Sequence, residues 1–211
     1  MGYRWIKSAS TKHPVIREVV HRANIYLRDV YGMLQLTKRK SGGEYDFSIV
    51  LVLLCVIDGI ARDIYPTRVV RNQQKRFRKL ICEKMYWGPQ TNGWIDKAAA
   101  ANLLYLEFRN PLVHELGQDR VSKARKQGFD EPVIGKWGPI EMRNRNIDRI
   151  DSLNRWSNNW PTIYEVPYGR GTRVKLCNAA LYWSVKRMVI DLVSNKASMA
   201  NAEDCQNTLQ T

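Results

Sequence analysis

Residues 47–57 read FSIVLVLLCVI, an apolar run broken only by Ser48 that ends at Asp58. The run is too short to span a bilayer, which takes about 20 helical residues. It is also more than one helix face can bury in its own core, because a surface helix carries apolar residues only every three or four positions. A helix built on it needs cover from a second surface. That surface is either another copy of the chain or the segment 118–172.

The flanking sequence is helical in pattern. Pro14 opens a predicted helix over 14–36, with Val15, Val19, Ala23, Tyr26 and Val30 at helical spacing. KRKSGGE breaks it. A second helix covers about 45–65 and ends at Pro66, and a third covers about 67–87, up to GPQTNG. A fourth starts at Asp96 as N-cap and runs through KAAAANLLYLEFRNPLVHELG to Gly117. Residues 118–172 are rich in Gly, Pro, Asn, Arg and Trp. Within them PVIGKW and PTIYEV read as short extended runs, giving a small hairpin or an irregular insertion. RVKLCNAALYWSVKRMVIDLVS predicts the last helix, about 174–194, followed by a polar tail over 195–211. The expectation is one all-α domain of 211 residues. Its helical core is 14–117 plus 174–194, a bundle of about five helices with a long insertion before the last.

Charge points to the partner. Lys and Arg number 34 against 20 Asp and Glu, a net +14, which attracts polyanions. The N-terminus MGYRWIKSAS has no apolar signal core. Cys55, Cys82, Cys177 and Cys205 are too scattered for a zinc or redox pair and read as reduced thiols. The expectation is a cytoplasmic protein with no membrane partner, no metal and no cofactor, and with nucleic acid as its ligand. GRGT at 169–172 lacks the spacing and lysine of a phosphate loop.

Between Arg62 and Lys84 eight Lys/Arg stand against two carboxylates, a local +6. On the third predicted helix Arg68, Arg71, Lys75, Arg78 and Lys79 recur opposite an apolar face of Val70, Phe77, Ile81 and Met85. Such a stripe is either a solvated face or a grip on an RNA backbone. In the insertion Trp137, Trp156, Trp160, Tyr164 and Tyr168 alternate with Arg143, Arg145, Arg149, Arg155, Arg170 and Arg173. That pattern suits base stacking, or the sealing of a hairpin onto the bundle.

FRNPLVHELG, residues 108–117, sets a helix-breaking proline between Arg109 and His114. Pro111 has no N–H and crowds the carbonyl four residues back, so the helix must kink or adjust locally. Asn110 and His114 share a face. Arg109 and His114 lie about 140° apart on an ideal helix, a gap that a kink and the reach of arginine can close. Arginine offers a fork of donors to phosphate oxygens, and histidine exchanges protons near neutrality. The same residues also suit a helix-end histidine and an ion-paired arginine. On the second predicted helix Asp58 falls on the apolar stripe of Leu54, Ala61 and Tyr65. A carboxylate there needs a partner, and Arg109 is the candidate. Tyr105, one turn before Arg109, lines the same cleft or packs.

The string YLEFRNPLVHELG, an arginine followed by a polar residue and a histidine late in a helical bundle, resembles the Rx4–6H signature of the HEPN superfamily. The resemblance is sharp over 105–117, loose over 44–117, and does not extend to 118–172. It implies an all-α, commonly dimeric protein acting as a metal-independent ribonuclease, with toxins and antiviral defence effectors among its kind and a cognate antitoxin or regulatory protein as a further partner. Arg109 would hold the scissile phosphate, His114 would act as general acid/base, and Asn110 would orient the site. Asp58 and Tyr105 would support them from behind. Other members only bind RNA, a nucleotide or a partner protein.

Overall fold

A computed structural model describes residues 5–7, 14–37, 46–85, 97–109, 130–135, 163–168 and 171–194. Among them the helices are α1 (Pro14–Thr37), α2 (Asp46–Ile64), α3 (Gln73–Lys84), α4 (Lys97–Leu103) and α5 (Asn178–Ser194). A π-helical turn, Leu104–Arg109, continues α4. Strands β1 (Asp130–Gly135), β2 (Ile163–Tyr168) and β3 (Gly171–Cys177) complete the set.

The apolar run becomes the hub of the bundle. α2 packs against α1, α3, α5 and the π turn. Ile49, Val50, Leu53, Leu54, Ile57 and Ala61 are each fully buried there. Each large apolar side chain so buried contributes about 1.5–3 kcal/mol relative to exposure. α1 contributes Ile16, Val20, Leu27, Val30 and Leu34 to the core. α5 adds Leu181, Tyr182, Val185, Met188 and Val189. Not all of the run is covered, however: Phe47 is 48% exposed, and Cys55 is exposed as well.

Two expected boundaries move, each for a local reason. α3 begins at Gln73, not at 67. Pro66 starts a turn instead, its carbonyl accepting from Val69 N (2.8 Å) and Val70 N (3.1 Å). Asn72 then caps the helix, its Oδ1 accepting from Lys75 N at 3.0 Å. An Asn side chain that satisfies an orphan N–H fixes a helix start more strongly than periodicity does. Arg68 and Arg71 therefore precede α3 rather than ride on it. α5 begins at Asn178, not at 174. RVKLC alternates polar and apolar residues with the period of a strand. The fully buried Cys177 closes the transition, its Sγ accepting from Ala180 N at 3.4 Å.

The two expected extended runs supply β1 and β2. With β3, which takes the start of the segment expected to be the last helix, they form a three-stranded sheet ordered β1-β3-β2, so the all-α bundle carries a small β element before its last helix. β2 and β3 are antiparallel from Ile163↔Leu176 to Tyr168↔Gly171. β1 joins β3 in parallel, with a register shift between Asp130 and Val133. Since β3 feeds directly into α5, the sheet is tied to the bundle. The rest of 118–172, including Trp137, Trp156, Trp160 and the arginines Arg143 to Arg170, lies outside the described residues, as does the tail 195–211. Among the described residues no helix is long and apolar enough to cross a membrane.

The segment 5–7 is held against α1 by Asn24 and by Arg28, whose guanidinium carbon lies 5.7 Å from the centre of the Trp5 ring. Asn24, 4% exposed, accepts from Ile6 N and donates to Ile6 O, both at 2.9 Å. Asn24→Ala orphans both backbone groups. It should cost about 1–3 kcal/mol, read as a lower melting temperature and faster tryptic cleavage at Lys7.

Candidate functional site

Arg109 closes the π turn two residues before Pro111. A π turn is an uncommon local adjustment of a helix and often marks a functional site. It is also the kind of adjustment that Pro111 demands, because a proline there cannot donate to the carbonyl four residues back, at position 107. Asn110 and His114 follow outside the described residues, so the relation between Arg109 and His114 remains the one given by sequence.

What the fold does bring together is Arg109 and Asp58, 51 positions apart in the chain. Arg109 Nη2 donates to Asp58 Oδ2 at 3.1 Å, with the two side chains 11% and 19% exposed. The pairing expected for a carboxylate on the apolar stripe of α2 is therefore present. Tyr105 stands one turn earlier, and the guanidinium carbon of Arg109 lies 5.4 Å from the centre of its ring. Tyr105 is itself 8% exposed and meets Phe77 edge to face, with ring centroids 5.2 Å apart. Tyr105 thus packs and supports the guanidinium at once, and contact with the face of an aromatic ring favours a cation there.

A third residue joins the pair that sequence reasoning missed. Gln73, the first residue of α3, donates from Nε2 to the same Asp58 Oδ2 at 2.6 Å. Placing the start of α3 at 67 had hidden it. The signal was Asn72, a good cap three residues before a backbone N–H in need of one. Cys55 sits one helical turn before Asp58. Although the residue is exposed at the surface, partial desolvation of its sulfur pushes the thiol pKa up, Arg109 pulls it back, and Asp58 adds a smaller push upward.

Beside this cluster runs a groove of about 560 Å³ between α1 and α2. Val19, Ala23, Tyr26, Val52 and Val56 line its apolar part, and Asp58 and Gln73 line it as well. Arg109 is not among its lining residues, so of the three clustered side chains the groove reaches Asp58 and Gln73. Its charged end is already paired: Arg22 donates to Asp63 at 2.9 Å and lies 3.2 Å from Glu18.

The basic residues separate into two kinds. Among the described residues Arg68, Arg71, Lys75 and Arg78 form no ion pair. Lys79 is engaged: its Nζ lies 5.0 Å from the Tyr65 ring and 3.8 Å from Glu83. Tyr65 in turn donates to Glu83 at 2.6 Å, and burial together with that carboxylate keeps its phenol protonated. Arg76 is structural, donating to Thr67 Oγ1 (3.0 Å) and to the Val70 carbonyl (3.2 Å), which fastens the turn before α3. Among the described residues no three His, Cys, Asp or Glu side chains gather as a metal site.

Compared with known proteins, the chain matches no family model, no curated protein and no solved structure.

Proposed function

We propose that the chain is a metal-independent RNA endonuclease of HEPN type. The observation that carries this reading is the largely buried Arg109, held by Asp58 at the end of a π turn and followed in sequence by Asn110, Pro111 and His114. In the proposed reaction Arg109 binds the scissile phosphate and stabilises the charge that develops on it. His114 handles the proton of the 2′-hydroxyl or of the leaving oxygen, and Asn110 orients the site. The 2′-oxygen bonds to phosphorus and the bond from phosphorus to the 5′-oxygen breaks. The products are a 2′,3′-cyclic phosphate and a 5′-hydroxyl. The chain would act in the cytoplasm as a homodimer, as a toxin or antiviral effector restrained by an antitoxin or other regulatory protein.

A second reading has one observation in its favour. Because Arg109 already has a carboxylate partner, it also suits a non-catalytic module that binds RNA, a nucleotide or a protein. Incubating purified protein with diverse RNAs in EDTA separates the two. Cleavage with cyclic-phosphate ends supports the enzyme. Tight binding with intact RNA supports the module.

The basic face has its own test. Changing Arg71, Lys75 and Arg78 together to Gln should weaken RNA binding without altering sequence preference, because side chains that touch only phosphates position a strand but do not read it. On single-stranded RNA the slope of log affinity against log salt should fall by about 0.7 for each phosphate no longer neutralised. An unchanged slope would assign these residues to solubility alone.

A further inference from the structure

We propose that Gln73 is a positioning residue for Arg109, acting through Asp58; this rests on the ribonuclease reading above. Arginine has a long, rotamer-rich side chain, and a single bond to one carboxylate oxygen leaves the carboxylate free to turn about its own axis. A second donor on the same carboxylate removes that freedom. Gln73 supplies it, with Nε2 2.6 Å from Asp58 Oδ2 while Arg109 Nη2 reaches the same oxygen at 3.1 Å. A hydrogen bond to an ionised acceptor at so short a distance is among the stronger kinds. Gln73 is exposed while Asp58 is mostly buried, so the amide reaches the carboxylate from its solvent side.

The placement follows from the sequence of α3. Asn72 caps the helix and so fixes Gln73 as its first residue. Phe77 is four residues on, hence on the same face. Its ring packs on Tyr105, whose own ring supports Arg109. One face of α3 therefore braces Arg109 by two routes, Gln73 to Asp58 and Phe77 to Tyr105. Lys75 and Arg78, two and five residues after Gln73, project away from that face, toward the surface proposed to grip the RNA backbone. The helix that binds the strand is thus the helix that aims the arginine.

The test is Gln73→Met, close to glutamine in shape but without a donor, made in the full chain alone and together with Asp58→Asn. In RNA cleavage with EDTA present, kcat should fall roughly 10- to 100-fold, as small misplacements of a positioned group do, while KM and melting temperature stay near those of the unaltered protein. In the Asp58→Asn background Gln73→Met should add little further loss. A variant that cuts at full rate, or losses that multiply independently, would overturn the proposal. If the unaltered protein cuts no RNA, the ribonuclease reading fails and the positioning claim is decided separately. The ¹⁵N–¹H guanidinium signals of Arg109 should shift and broaden in Gln73→Met, and unchanged signals would overturn the claim.

Discussion

Replacing His114 with Ala, or Arg109 with Lys, should each remove RNA cleavage while the protein stays folded. His114→Ala deletes the group that moves the proton, and loss of general acid/base catalysis costs about 10²–10⁴ in rate. For Arg109 the choice of replacement matters. Alanine would strip Asp58 of its cationic partner and mix a stability effect into the measurement. Lysine keeps a positive charge beside Asp58 but loses the planar fork that can hold a carboxylate and a phosphate at once. The loss should appear in kcat and kcat/KM together, as expected for interactions that strengthen in the transition state. Folded variants cutting at the normal rate would dismiss the assignment, as would activity that disappears on adding a chelator. Mixing Arg109→Lys with His114→Ala chains extends the test to the proposed homodimer. If two motifs share one site, part of the rate returns; if each works alone, the mixture stays inactive.

Much of this arrangement was legible in the residues, and what was not has identifiable causes. The bundle followed from apolar periodicity and from Pro14, Pro66 and the Gly-rich breaks, since each acts on the backbone locally. Asp58 stood out because a carboxylate on an apolar stripe must be neutralised, and Arg109 was the arginine of the motif nearest in kind to that need. The two misplaced helix starts share a cause: periodicity says that a segment can be helical but not where a competing local bond begins. At α3 that bond is Asn72 to Lys75 N, and at α5 it is Cys177 to Ala180 N. The missed boundary at α3 concealed Gln73, which reaches Asp58 from the first residue of the helix. The pairing of β1 with β3 was beyond reach for a different reason. Parallel pairing joins segments far apart in the chain, as Asp130 with Arg173, and nothing in PVIGKW specifies its partner.

Asp58→Ala should destabilise the protein by about 2–3 kcal/mol, lowering the melting temperature by roughly 5–10 °C for a chain of this length. Removing one partner of a fully buried ion pair costs about 3–5 kcal/mol, since the other charge is left without compensation. The expected value is lower here because the Asp58 side chain keeps 19% of its exposure and the Tyr105 ring still faces the guanidinium. The informative comparison is the double variant Asp58→Ala, Arg109→Met. It removes both charges and leaves methionine to fill the space of the arginine stem. A buried pair replaced by apolar groups is often neutral in stability, so the double variant should be more stable than Asp58→Ala alone and should melt near the unaltered protein. It should nevertheless be as inactive on RNA as Arg109→Lys. That outcome would show that the charged pair stands where an apolar pair would serve the fold equally well, which is the expected mark of a side chain kept for chemistry. If Asp58→Ala instead melts with the unaltered protein, the pair behaves as an exposed salt bridge worth about 0–1 kcal/mol. Asp58 would then have no hold on Arg109 strong enough to aim it.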